Sequence, residues 1–357
     1  MKISEENLSE FSSDVETLHA TPITVLQDIP SPISFLREYV ALSKPVLIKN
    51  AFPKISLDDL VRGNDGLILH VDVSPDGHAD TIRVVDGEKA FVMPQTREMK
   101  FVEFVKGLRM QQKHQKKDVL DCDENGLKKV NYQKSEPQIE EPNHMDEEED
   151  VLYYSRQNDC LRCELPELMD YFPPSVPFVD EALDLKPDAI NLWIGNERSV
   201  SSMHKDHYEN IMGVLCGEKI FTVCPPSDAL YLRESNFPSG SFQKDSNGKW
   251  KVVQEIIPDD QGNEERQKTR WMESNVEKLL PPSSNDEINK YIEQNPLLKY
   301  AHPMRIRVSA GDLLYLPSLW YHRVTQTKET VAVNYWYDMR FDSPQWCAFN
   351  LYQHIKK

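Results

Sequence analysis

The chain reads as a mainly β protein with flanking helices, α+β overall, whose strands wrap into a barrel around a metal. Three observations predict this. Ser201 to Asn210 is a strand-like stretch in which His204 and Asp206, at i and i+2, project to one face. A second run, Leu313 to Trp320, is mainly apolar, reads as a buried strand and its exit, and leads to His322, 118 residues after His204. Helical apolar spacing, by contrast, falls mainly in segments that flank these runs.

In order from the start, Met1 to Glu10 is acidic and carries no apolar stretch long enough for a signal peptide or a membrane span, which predicts a cytoplasmic or nuclear protein. Residues 1–112 read as strands and helices packed on the outside of the barrel. Ile33, Phe35-Leu36 and Tyr39-Val40 recur at helical spacing after Ser31-Pro32, a helix start. Pro45 to Ile48 is a strand, and Leu57 to Val61 a short helix capped by Ser56. Gly66 to Val73 and Thr81 to Val85 are strands separated by a turn at Pro75 to Gly77. Phe101, Phe104-Val105 and Leu108 mark a helix facing the core. Residues 113–150 change character: a basic half is followed by Glu136 to Asp150, with eight acids, two prolines and no Lys or Arg. Such blocks bury too little apolar surface to offset the cost of ordering, so the segment reads as a mobile insertion.

Val151 to Tyr154 resumes the fold as a strand, Leu165 to Phe172 is a short helix, and the barrel domain spans 151–340. Ile211 to Leu215 continues the metal strand, Gly217-Glu218 turns, and Lys219 to Val223 returns as its paired strand. A long insertion occupies about 230–303, with a hairpin signal at Asp245 to Gly248 and otherwise surface loop and short helix. Trp346, Phe349, Tyr352 and Ile355 recur at helical spacing in 341–357, a terminal helix that must cover its own barrel or a second subunit.

Composition narrows the function. A formal net charge of −17 argues against gripping a nucleic acid backbone and favours basic protein or peptide partners. Six cysteines without a secretory signal fit a reducing compartment. Cys160 and Cys163 form a C-x-x-C with no second pair to complete a zinc ribbon, and read as two free thiols.

The metal reading rests on His204, Asp206 and His322. Two imidazoles and one carboxylate on one face of an octahedron leave three open positions, which suits a non-haem Fe(II) that must also take an organic co-substrate and O2. Spacing alone is weak support. Of the ten histidines, His70, His78, His144, His204 and His207 all have an acid two residues later, where about one or two such pairs are expected by chance. His78 sits in a turn and His144 in an acidic tract, so both read as solvated, and His70 reads as a strand histidine. His207 and Glu209 share the strand with His204 and Asp206 on the opposite face, and parity leaves both pairs open. Lys219 is an ammonium at the head of an apolar strand, either meeting an anion or extending its head to water.

Asn191 to Asn196, His204 to Asn210, Gly217-Glu218-Lys219, Pro225 to Asp228 and Val333 to Asp338 together resemble the jumonji-C (JmjC) oxygenases. Within that family the chain is most similar to the small protein lysyl hydroxylases of the jumonji domain-containing protein 7 subgroup, in order from about Lys44 to the C-terminus. The resemblance implies a double-stranded β-helix of jelly-roll, cupin-like type. It implies Fe(II) held by His204, Asp206 and His322, with 2-oxoglutarate and O2 as co-substrates. It assigns Lys219 to the distal carboxylate of 2-oxoglutarate, assisted by Tyr154 and Ser201, with Tyr153 in the core on the other face. Asn210 and Asn334 would line the pocket, with Trp336 packed beside it. Two departures stand out. Met212 replaces a tyrosine of close relatives, and Arg156 an amide of some asparaginyl hydroxylases. The implied reaction is hydroxylation of a protein lysine coupled to oxidative decarboxylation of 2-oxoglutarate. The substrates would be developmentally regulated GTP-binding proteins, with methyl-lysine demethylation and histone-tail peptidase activity as alternatives and a non-catalytic interaction module last. It also implies a homodimer through the C-terminal helix, with neither nucleic acid nor membrane as partner.

Overall fold

The computed structural model describes residues 4–18, 22–115, 150–258 and 264–355. The charged segment expected as an insertion, 113–150, lies outside the described residues apart from 113–115 and Asp150, and so does His144.

Ten strands form two facing sheets: β1 (Thr24–Leu26), β2 (Val46–Ile48), β3 (Ala189–Gly195), β4 (Val200–His204), β5 (Tyr208–Cys216), β6 (Glu218–Cys224), β7 (Met304–Ser309), β8 (Leu313–Leu316), β9 (Tyr321–Gln326) and β10 (Thr330–Asp338). The larger sheet runs β1-β2-β8-β5-β10-β3 and the smaller β7-β6-β9-β4. Every neighbouring pair is antiparallel except β1 with β2. The result is a jelly roll whose two sheets stay separate rather than closing into a continuous barrel.

Period-two alternation fills both sides of the larger sheet. Met212 and Val214 of β5 face inward, meeting Phe221 and Val223 of β6 and Ile306 and Val308 of β7. Their neighbours Ile211 and Leu215 face outward into a second apolar cluster with Tyr335, Phe101, Phe104 and Leu108. Burying side chains of this size contributes about 1.5–3 kcal/mol each. The helix Phe101–Gln115 therefore covers the outer face, as its apolar spacing predicts. Local signals are equally direct at Ser31 and Ser56, whose hydroxyls accept the N–H groups of Ser34 and Asp59 at the starts of their helices.

Three expectations need correction. Gly217, at φ +79°, turns the chain a corner instead of closing a hairpin: β6 leaves the sheet of β5 and pairs with β7 and β9 in the other. The run from Leu313 to Trp320 is a strand and its exit, as read, but His322 does not end it: the chain turns at Leu319, which takes φ +67°, and His322 lies near the start of β9. The insertion at 230–303 is not mainly loop. Glu234–Lys244 pairs with Trp250–Gln254 and Lys268–Met272, and runs parallel to Glu88–Met93, joining the N-terminal strands in one sheet.

Candidate metal centre

β4 and β9 are neighbours, and His204 and His322 are direct cross-strand partners. Partners in register project to the same face a few ångström apart, which is how residues distant in sequence meet. Their ring centroids lie 4.3 Å apart. Asp206 sits past the end of β4, in the turn to β5, held there by the Leu319 N–H, which donates to its carbonyl at 2.9 Å. Its Oδ2 lies 3.9 Å from His204 Nε2 and 3.5 Å from His322 Nε2.

The other ring nitrogens are already engaged. His204 Nδ1 faces the Ser202 carbonyl at 2.7 Å and His322 Nδ1 the Trp320 carbonyl at 3.0 Å. An Nδ1–H donated to a carbonyl leaves each Nε2 lone pair free and aimed at the common point, the tautomer a metal ligand needs. The three ligand atoms all lie within 4.8 Å of one another, and among the described residues no other such trio converges. Burial, followed by repulsion from His322, lowers the His204 pKa to about 4. Burial pushes Asp206 up, but His204 and His322 together outweigh it and bring it to about 2. A neutral imidazole beside an ionised carboxylate is a donor set that fits a divalent iron.

The competing pair on β5 points elsewhere. Glu209 accepts from Tyr315 Oη at 2.7 Å and Ser318 Oγ at 2.9 Å, and His207 packs against Phe341 and Trp346. His70 lies beside Glu98 and Glu164. His78, expected in a solvated turn, instead bridges to Val200, and burial lowers its pKa to about 4. Cys160 and Cys163 are free, as read.

The triad opens into a pocket lined by Tyr153, Met212, Lys219, Asn334 and Trp336, among others. Lys219 is 1% exposed. Its ammonium lies 5.8 Å from the ring centroids of both Tyr153 and Trp193, no carboxylate among the described residues pairs with it, and burial lowers its pKa to about 7. The parity expected at Val151 to Tyr154 is reversed. Tyr153 faces the pocket, its hydroxyl 3.3 Å from Ser201 Oγ. Tyr154 turns into the outer apolar cluster, where its hydroxyl meets only the thiol of Cys160. The reason is pairing: Tyr153 sits opposite Asp72 at the end of its strand, which the four-residue run could not disclose.

Asn334 and Asn210 meet at 3.2 Å, and Trp193 Nε1 donates to Asn334 at 2.8 Å. Trp336 stacks on Tyr208 at 4.8 Å, and its buried Nε1 has no partner. Met212 lines the pocket and presents a thioether there. Arg156 points away, toward Glu164 at 3.5 Å, while Gln157 lines the pocket. Trp271, from the insertion, lies parallel to the His204 ring at 5.9 Å and donates to Ser202 Oγ at 3.2 Å. Nothing local in the sequence marks Trp271, because the insertion has to fold back before it meets β4.

Comparison with known proteins agrees with this geometry. The Cupin-like domain family matches residues 32–343. The chain is 33% identical over 343 residues to the human bifunctional peptidase and (3S)-lysyl hydroxylase JMJD7, covering 94% of this chain and 90% of the human protein. It is 32% identical to JmjC domain-containing protein E of Dictyostelium discoideum, over 90% of this chain and 87% of that one. Lysine-specific demethylase JMJ32 of Arabidopsis thaliana is 30% identical, over 94% and 87%.

Proposed function

The chain belongs to the cupin-like JmjC family of oxygenases, and from that membership we propose that it is an Fe(II)- and 2-oxoglutarate-dependent protein hydroxylase acting on lysyl residues. The observation that carries the reading is Lys219. A fully buried cation without an anionic partner is costly, and it lies in the same pocket as the His204, Asp206 and His322 trio. A dicarboxylate spanning the two would satisfy both.

In this reading His204, Asp206 and His322 hold the iron, which when bound supplies the activation of O2 coupled to decarboxylation of 2-oxoglutarate. Lys219 binds the distal carboxylate. Tyr153, in place of Tyr154, offers a hydroxyl beside Ser201 and so makes up for the one lost at Met212. Asn210, Asn334 and Trp336 shape the wall, and Trp271 keeps water from one face of His204.

The human relative is named for lysyl hydroxylase and peptidase activity and the Arabidopsis relative for demethylation. Hydroxylation of a lysine in a GTP-binding protein is the reading we adopt; a chain of net charge −17 suits the cationic side chain of a lysine target. Peptide hydrolysis gives Lys219 no task, and the sequence has no H-E-x-x-H. The test is tandem mass spectrometry of a recombinant GTP-binding protein and of methyl-lysine peptides after incubation with the protein, Fe(II) and 2-oxoglutarate. One oxygen added to a lysine supports the proposal; demethylated or cleaved peptides with no added oxygen would overturn it. We also propose a homodimer through the helix Pro344–Ile355, whose Leu351 is exposed while Phe349 packs inward.

A further inference from the structure

The stretch from His204 to Asp206, which carries two of the three metal ligands, is tied down from behind. Lys205 separates His204 from Asp206, and its Nζ lies 2.6 Å from Glu234 Oε1. Glu234 opens the strand Glu234–Lys244 of the insertion, and its side chain is 5% exposed. Its second oxygen lies 2.9 Å from Arg270 Nε. Tyr321, the residue before His322, directs its hydroxyl at the same carboxylate and accepts from Gln353 Nε2 at 3.1 Å. The Lys205 ammonium rests over the rings of Tyr321 and Phe349, at 5.2 and 5.6 Å. Phe349 and Gln353 both belong to the C-terminal helix, and Gln353 also accepts from Arg270.

Each metal ligand thus has a chain neighbour that ends on Glu234: Lys205 for His204 and Asp206, Tyr321 for His322. None of Lys205, Glu234, Phe349 and Gln353 lines the pocket, so direct contact with a co-substrate is not their task. Fold stability alone accounts poorly for them. An ion pair drawn partly out of water gives up hydration on both ions, and apolar side chains of equal volume commonly hold a core as well. What an ion pair adds is a fixed position, and this one fixes the residue between two ligands.

We propose that Glu234, Lys205, Tyr321 and the C-terminal helix form a positioning network that sets the geometry of the metal ligands, which makes the insertion and the terminal helix working parts of the centre. The inference rests on the reading of His204, Asp206 and His322 as ligands. Groups that orient metal ligands typically govern about ten- to a hundredfold in metal affinity.

The test uses Co(II) as the probe, measuring its dissociation constant and visible absorption in the full-length protein, with the melting temperature of the metal-free form. Lys205→Met keeps the stem packed on Tyr321 and Phe349 and leaves Glu234 paired with Arg270, so the fold stays intact. Weakening of Co(II) binding by about tenfold or more with a changed absorption band, a similar loss in Tyr321→Phe, and recovery in Lys205→Arg are the expected results. Wild-type affinity and spectrum in both Lys205→Met and Tyr321→Phe, while His204→Ala abolishes binding, would overturn the network alone. Co(II) binding unaffected by His204→Ala would overturn the ligand reading, and the network with it.

Discussion

Lys219 shows how much a single residue discloses. Its chemistry was visible in the sequence as an ammonium on an apolar strand, but whether its head met an anion or water could not be read there, because that depends on the facing sheet. With the pKa drawn to about 7 by burial, the sign of a pH effect follows. A dicarboxylate favours the charged form and so raises this pKa on binding. Above pH 7 binding must then take up a proton, and 2-oxoglutarate affinity should fall as pH rises, by up to about tenfold per unit. Isothermal titration in the presence of metal between pH 6 and 9 checks this, and a flat profile would contradict it. The tyrosine pair is a second residue-scale test. Tyr153→Phe should raise the KM for 2-oxoglutarate, whereas Tyr154→Phe should leave it unchanged and cost little stability, since the deleted hydroxyl is buried against a thiol, a weak hydrogen-bond partner. The reverse outcome would restore the assignment made from sequence alone. His204 and Asp206 were legible as candidates, but choosing them over His207 and Glu209 required the resemblance, because strand parity has no origin until a partner strand supplies one.

At the scale of elements, the sequence reports strands well and their partners poorly. Tyr208 to Cys216 and Glu218 to Cys224 are plain strands, yet the one-residue link at Gly217 reads equally as a hairpin or as a corner between sheets. What decides it is pairing, since β6 bonds to β7 and β9 in the other sheet, which leaves Met212 and Phe221 in one buried cluster between the sheets. The insertion was harder still. Its strand Glu234–Lys244 pairs with Glu88–Met93, which lies well over a hundred residues earlier in the chain, and long-range pairing leaves no local signature. Trp271 is the consequence that bears on function. Trp271→Ala would uncover one face of His204 and release Ser202, and should reduce kcat by about ten- to a hundredfold with little change in the KM for 2-oxoglutarate. A rise in that KM with kcat intact would show that the ring serves co-substrate binding instead.

For the whole molecule, the outer helices and the acidic balance were legible from periodicity and composition, whereas the jelly roll came from the resemblance, because no local pattern encodes the order of strands in a sheet. The terminal helix was legible as amphipathic but not as to what it covers. Phe349 packs on its own chain beside Met203, Cys224 and Leu319, while Leu351 stays 57% exposed. Light scattering should therefore give a dimer that Leu351→Glu dissociates; a monomer for the parent chain would remove the dimer from the account. No helix among the described residues is long and apolar enough to cross a membrane. The claim on which everything turns is that one pocket couples 2-oxoglutarate to oxygenation of a protein lysine. The most direct measurement counts succinate formed against oxygen gained by the protein substrate, for the wild type and for His204→Ala. One succinate per oxygen on a lysine, with both products absent in the variant, is the predicted result. Oxygen gained without succinate, or products that persist in His204→Ala, would contradict it.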